Sequence, residues 1–188
     1  MADLLFSVFP NNSFRGCLET FRKAIDQPSD LSESLLELGL QLGLGATSHI
    51  MITAREFLSL SNFHMFTRDY IKRCCDLVEH TVKLLLAPKL QINVGHKSLG
   101  GIIKILRNPR YNNMIPRDLI YNLDSFNATI YCPAKHEVPE KEEEHMYSVA
   151  DAVVVTFIAL KLCQKIQNFV RSSGERSRVQ ISSDPPNF

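Results

Sequence analysis

The chain of 188 residues has the composition of an ordinary globular protein, with 45% hydrophobic and 22% charged residues. Its length fits one domain with a sizeable core, and its formal net charge of +1 excludes a general attraction to nucleic acid or anionic membrane. The charged residues are unevenly distributed along the chain. Residues 66–110 hold nine Lys/Arg against three Asp/Glu, and residues 111–145 hold three against seven. We interpret the basic stretch as the solvated face of helices, with phosphate binding as the alternative.

The cysteines do not have the spacing of a disulfide framework. The five cysteines are Cys17, Cys74, Cys75, Cys132 and Cys163. Their number is odd, and their spacing matches no paired motif. Cys74 and Cys75 are adjacent and therefore poorly placed to bridge each other. Reduced thiols are the simpler interpretation, and they indicate a cytoplasmic protein.

Neither a leader nor a membrane span is expected from the sequence. Met1–Pro10 has no basic residues, and its apolar run is too short for a secretory signal. The most apolar stretch, Val149–Cys163, contains Asp151 and Lys161 and is shorter than the roughly 20 residues that cross a bilayer. We therefore predict a buried core helix there and no contact with a membrane.

The first third of the chain contains one clear helix and one ambiguous segment. Ser13 is a good helix cap, Pro28 ends the helix, and the apolar positions between them recur every three or four residues: Phe14, Cys17, Leu18, Phe21, Ala24 and Ile25. Over residues 36–44 leucines alternate with other residues as in a strand, but Leu31, Leu35, Leu38 and Leu42 also fit a helix. We favour the helix, because leucine is a good helix former and no β-branched residue is present there.

The middle of the chain predicts a long helix and a short one. The long helix runs from about Phe66 to Leu86, is stopped by Pro88, and turns these residues inwards: Tyr70, Leu77, Val78, Val82 and Leu85. Ser98 caps a short helix through Leu106, which Asn108-Pro109 breaks.

The last part of the chain predicts two more helices and a tail. Pro116 occupies the first turn of a helix that Pro133 ends, and its apolar stripe comprises Ile115, Leu119, Leu123, Phe126 and Ile130. An acidic loop at Glu140–Glu144 leads to Ser148, which opens a helix that is apolar nearly all round. From Ser172 the composition predicts a disordered tail. The fold class is therefore all-α: a single bundle of five or six helices over residues 1–171, with a tail at 172–188.

The chain lacks the motifs of common cofactor sites. The sequence Gly95-His96-Lys97-Ser98 is not a phosphate-binding loop, because His96 separates the glycine from the lysine. Cys132, His136 and His145 are too loosely spaced for a zinc site. We expect neither a metal nor an organic cofactor.

One segment resembles a known family. Asn127 lies beside the apolar stripe of its helix, a Pro-Ala-Lys-His-Glu turn with Lys135 and His136 follows, and the apolar helix begins near Asp151. This order is similar to the end of HEPN (higher eukaryotes and prokaryotes nucleotide-binding) domains, the helical bundles of RNA-cleaving toxins and antiviral proteins. The resemblance implies four candidate site residues, which are Asn127, Lys135, His136 and Asp151.

The segment departs from the ribonuclease members of that family. Those members have an arginine before the histidine, with four to six residues between the two. For His136 that arginine would lie at 129, 130 or 131, where this chain has Thr129, Ile130 and Tyr131. We therefore predict a non-catalytic HEPN-like module that forms a homodimer or binds a partner protein through apolar helix faces, in a defence or toxin–antitoxin setting.

An enzymatic and a structural interpretation remain beside this prediction. In the first, a divergent ribonuclease or another enzyme acting on nucleic acid uses His136 as acid and base, with Lys135 and Asn127 binding RNA phosphate. In the second, Lys135 and His136 stabilise the C-terminus of their helix, and His136 bonds Asp151 to fasten two helices together.

Overall fold

The structure, a computed structural model, describes residues 50–52, 67–136 and 147–181. The predicted helix after Ser13, the ambiguous residues 36–44, the acidic run Glu140–Glu144 and residues 182–188 lie outside this part. Of the described residues 81% are helical and none forms a strand, so the predicted all-α class is confirmed. Helical residues 50–52 contribute Ile50 and Met51 to the core.

The first long helix passes through a proline that was predicted to stop it. Helix α1 spans Thr67–Thr81 and continues as a π-helical segment, Val82–Leu86, and a last α-helical turn, Ala87–Lys89. A proline inside a helix has no N–H to donate, and its ring crowds the carbonyl four residues earlier. Here the backbone N–H of Ala87 donates to the carbonyl of Val82, five residues back, so the helix widens before Pro88 instead of ending.

Two short helices follow, of which only the first was predicted. Helix α2 spans Leu99–Leu106, and α3 spans Pro109–Asn112. Asn108 caps α3, because its Oδ1 accepts a hydrogen bond from the backbone N–H of Arg110 at 3.0 Å. Ser98 holds the N-cap position of α2, but its side chain makes no capping hydrogen bond.

The next helix also continues past its proline through a π-helical segment. Helix α4 spans Arg117–Phe126 and continues as a second π-helical segment, Asn127–Tyr131, and the turn Cys132–Lys135. The N–H of Cys132 donates to the carbonyl of Asn127, so Pro133 does not end the helix either. Its predicted apolar stripe is confirmed as buried: Ile115, Leu119, Leu123, Phe126 and Ile130.

The last helix, α5, spans Val149–Ile181 and forms the centre of the described bundle. Ser148 opens it as predicted, by donating its backbone N–H to Asp151 Oδ2 at 2.8 Å while its hydroxyl accepts from the N–H of Asp151. The helix packs along α1 and the first π-helical segment, and also against α4. It continues past Ser172, the predicted start of the tail, to Ile181.

Part of α5 satisfies the simple criteria for a membrane span. The window Asp151–Ser172 has 22 residues and a mean hydropathy of 1.4, so it is longer than the apolar stretch noted in the sequence. More than half of it, 56%, is buried within the fold. The central helix of a helical bundle meets the same criteria of length and composition, so this helix is weak evidence for a membrane protein.

Hydroxyls and thiols lie between α1 and α5. The hydroxyls of Thr156 and Tyr70 are hydrogen-bonded at 3.0 Å, and Cys74 Sγ lies 3.7 Å from Thr156 Oγ1. Further along, Cys163 Sγ lies 3.2 Å from Thr81 Oγ1. All five side chains are buried, so these contacts satisfy polar atoms inside a dry interface.

The buried thiols of this interface are chemically quiet. Burial raises the pKa of both Cys74 and Cys163 to about 12, so both remain protonated near neutral pH. Since the thiolate is the reactive form of cysteine, neither is suited to act as a nucleophile. Cys74, Cys75, Cys132 and Cys163 are all free of disulfides.

Replacing Thr156 tests this interface. We expect Thr156→Val to lower the free energy of unfolding by roughly 1–2 kcal/mol, because it removes a buried hydroxyl that Tyr70 and Cys74 contact. The control is Thr129→Val. Thr129 is exposed, and its hydroxyl bonds only to Ser125 of its own helix. Equal losses for the two variants in urea denaturation would contradict a stabilising role for the buried contacts.

Candidate functional site

The carboxylate of Glu79 on α1 is a centre of polar contacts between several helical segments. Lys83 Nζ donates to its Oε1 at 2.6 Å, and the Tyr131 hydroxyl donates to its Oε2. The backbone N–H of Leu99, at the start of α2, faces the same carboxylate. Glu79 thus connects both π-helical segments to the N-terminus of α2. We call Glu79, Lys83 and Tyr131 the Glu79 cluster.

The electrostatics of the cluster favour an ionised glutamate and a neutral tyrosine. Burial alone raises the pKa of Glu79, but the hydrogen bonds from Lys83 and Tyr131 outweigh it and hold the pKa below its ordinary value. Burial, together with the hydrogen bond to Glu79, raises the pKa of Tyr131. A negative charge at a helix N-terminus is stabilising, so Glu79 supplies to α2 the cap that Ser98 does not.

Asn127 lies one helical turn before Tyr131 and packs against α2. A Cβ atom on residue 100 would lie 3.2 Å from Asn127 Oδ1, so glycine at position 100 is what lets the two helices approach this closely. Asn127 Oδ1 is buried and accepts no conventional hydrogen bond from the described residues.

Lys135 is tied to α1. Its ammonium donates to Asp76 Oδ1, and it also lies 6.0 Å from the centroid of the Tyr131 ring. This ion pair joins the turn Cys132–Lys135 to α1, and the backbones of the turn and of α1 also lie in contact. The lysine predicted to bind phosphate is therefore already engaged by a carboxylate of the same chain.

His136 and Asp151 do not meet. The ring of His136 is exposed and makes no hydrogen bond to any described residue, while its backbone N–H donates to Cys132 at 3.0 Å and ends the helix. Asp151 Oδ2 accepts from the backbone and hydroxyl of Ser148 instead. The suggested His136–Asp151 bond is therefore wrong. Of the four candidates, Asn127 and Lys135 border the Glu79 cluster, His136 points to solvent, and Asp151 caps α5.

The cluster itself was missed at the level of sequence. Glu79 and Lys83 have the i, i+4 spacing of a helical ion pair, and this signal was available. Tyr131 and Asp76 had no such signal, because each meets its partner across more than fifty residues of chain. Their proximity depends on how α1 packs against the second π-helical segment.

A separate groove lies between the start of α4 and the second half of α5. It encloses about 300 Å³ and is lined by Pro116, Asp118, Leu119, Lys165, Asn168, Phe169 and Ser172. Lys165 Nζ and Asp118 Oδ2 form an ion pair across it at 3.0 Å. None of the four candidate residues lines this groove.

The described residues contain no group of three or more His, Cys, Asp or Glu side chains placed to hold a metal ion. His145, one of the three loosely spaced metal-ligand types, lies outside the described residues. No protein-family model matches the chain, and the chain is similar to no curated protein and to no solved structure. The resemblance to HEPN domains therefore stays a prediction.

Replacing Glu79 tests the cluster. We expect Glu79→Gln to lower the free energy of unfolding at pH 7 by roughly 1.5–3 kcal/mol, because the charged acceptor of Lys83 and Tyr131 is lost. Asp69→Asn is the control. Asp69 forms an ordinary surface pair with Lys72, so its loss should change little.

The effect should also depend on pH. The folded-state pKa of Glu79 is lowered, so its stabilisation is present above the unfolded value of about 4.3 and is lost as pH falls through the folded value. The difference between wild type and Glu79→Gln should therefore shrink in acid. A difference that stays constant from neutral pH to pH ~3 would contradict an ionised Glu79 as the cause.

Proposed function

We propose that the chain is a non-catalytic helical interaction module, HEPN-like in type, that forms a homodimer through apolar helix faces. A defence or toxin–antitoxin setting is part of this proposal. A partner protein in place of the second copy is its nearest variant.

The observation that carries the proposal is the engagement of the candidate catalytic groups. Lys135 binds Asp76, and Asp151 binds Ser148, so each already serves to hold or start a helix. An acid–base site needs its groups within hydrogen-bond reach of one another or of a common substrate atom. His136 has no such neighbour among the described residues, which supports a binding role over a catalytic one.

Large apolar side chains on the outside support the same proposal. Leu84 on the first π-helical segment is 47% exposed, Met114 before α4 is 55% exposed, and Tyr121 on α4 is 60% exposed. Tyrosine is enriched in protein interfaces because its ring buries a large area while its hydroxyl stays hydrogen-bonded. In this proposal, pairing buries these exposed side chains of the first π-helical segment and of α4.

Sedimentation velocity across the micromolar range tests the homodimer. We expect a dimer for the wild type and a monomer for Leu84→Asp/Tyr121→Asp, because two buried carboxylates would oppose association. Asn93→Asp/Asn168→Asp adds the same charge at exposed polar positions outside α4 and the first π-helical segment and should stay dimeric. A wild type that is monomeric at every concentration would rule out self-pairing. If the tagged chain then also purified without a stoichiometric partner, the whole proposal would fail.

The ribonuclease alternative makes the opposite prediction in a cleavage assay. Purified wild type and His136→Ala are incubated with a mixed pool of labelled RNAs, and the products are separated on a denaturing gel. We expect the pool to stay intact with both proteins, because Lys135 is paired with Asp76 and the His136 ring has no hydrogen-bond partner among the described residues. Cleavage by the wild type that disappears in His136→Ala would replace the interaction module with an enzyme.

A further inference from the structure

The chain has a long internal stretch without a single carboxylate side chain. Between Glu79 and Asp118 it carries seven Lys/Arg and no Asp or Glu. In the structure this stretch comprises the first π-helical segment, the loop after it, α2 and α3. Any acidic partner for these cations must therefore come from another part of the chain.

Helix α2 has one buried side and one cationic side. Its buried side is Leu99, Ile102, Ile103 and Leu106. On its outer side Lys97 packs over Gly101, since a Cβ atom on residue 101 would lie 3.4 Å from Lys97 Cβ. Lys104 lies one helical turn after Gly101 on the same face of α2. Both lysines are exposed, and neither forms an ion pair with a described residue.

Two carboxylates of the described residues near the ends of α2 are already paired with cations. Asp124 binds Arg107 at the end of α2, and Glu79 binds Lys83 at its start. Beyond α2, the exposed guanidinium of Arg110 lies 5.5 Å from the centroid of the Tyr111 ring and forms no ion pair with any residue that the structure describes. Lys97, Lys104 and Arg110 are therefore exposed positive charges that pair with no carboxylate among the described residues, and we call them the basic edge.

We propose that the basic edge binds single-stranded nucleic acid through its phosphates. Unpaired lysines and arginines are the groups that replace counterions along a phosphate backbone. Gly101 accommodates the stem of Lys97 against α2, and the ammonium group of this exposed lysine extends beyond it. Arginine stacked on tyrosine presents a flat face on which an unpaired base can stack, a contact that a duplex would not offer. This inference does not depend on homodimer formation.

Fluorescence anisotropy with a labelled single-stranded RNA oligonucleotide, at low salt and then over a salt series, tests the proposal. We expect Lys97→Glu/Lys104→Glu to weaken binding at least tenfold, and Lys97→Gln/Lys104→Gln to weaken it less. Two lost phosphate contacts should reduce the slope of log K against log salt by about 1.4. Arg117→Glu/Arg171→Glu is the control, because it changes the net charge equally at two exposed arginines that lie on other helices, α4 and α5.

Four outcomes would overturn the proposal. They are no binding by the wild type at low salt, equal losses in the edge and control variants, tighter binding to a duplex of the same length, and tighter binding to anionic lipid vesicles. Circular dichroism confirms that each variant is folded. Selective loss in the edge variants with the expected change in slope would support the basic edge.

Discussion

Pro88 and Pro133 each lie inside a helix, where a backbone N–H would ordinarily be required. The chain meets this constraint twice in one way, with a π-helical segment that ends two residues before the proline. Each segment then brings a polar side chain to the same place. Lys83 lies in the first and Tyr131 in the second, and both donate to Glu79. Because π-helical turns add a residue to the helical repeat, they change which side chains face a neighbouring helix. The polar contacts of α2 therefore depend on how two prolines are accommodated.

The Glu79 cluster and the α1–α5 interface stabilise different parts of the fold. Between α1 and α5, buried hydroxyls and thiols satisfy one another in an otherwise apolar contact, so burial of apolar surface dominates there. Helix α2 has only eight residues and no side-chain cap of its own, and an isolated helix of that length is not stable in water. It persists because its apolar side is buried and because a carboxylate of another helix occupies its N-terminus.

The sequence predicted what depends on local periodicity and capping. The buried stripe from Ile115 to Ile130 and the start of α5 at Ser148 were both correct, because helical spacing and a serine cap are visible in a short window. Pro88 and Pro133 were predicted to end their helices, because the π-helical hydrogen-bond spacing that accommodates them cannot be recognised from the sequence. The Glu79 cluster was missed because it joins residues far apart in the chain. Asp151 was placed among candidate site residues by its position, whereas its carboxylate serves the first turn of its own helix.

Whether a charged side chain stays available to a ligand depends on the carboxylates around it. Lys135 follows a helix that packs on α1, where Asp76 is one turn away from Glu79, and it is bound there. Lys97 and Lys104 lie in the stretch without acids, on the outer side of a helix whose inner side is buried, and neither pairs with a carboxylate in the described part of the chain. Lys135 and Asp151, which the family resemblance selects, thus stabilise helices of the fold. Lys97 and Lys104, which belong to no motif, remain exposed. The exposed cations of α2 are therefore better candidates for a binding surface than the HEPN-like segment around His136.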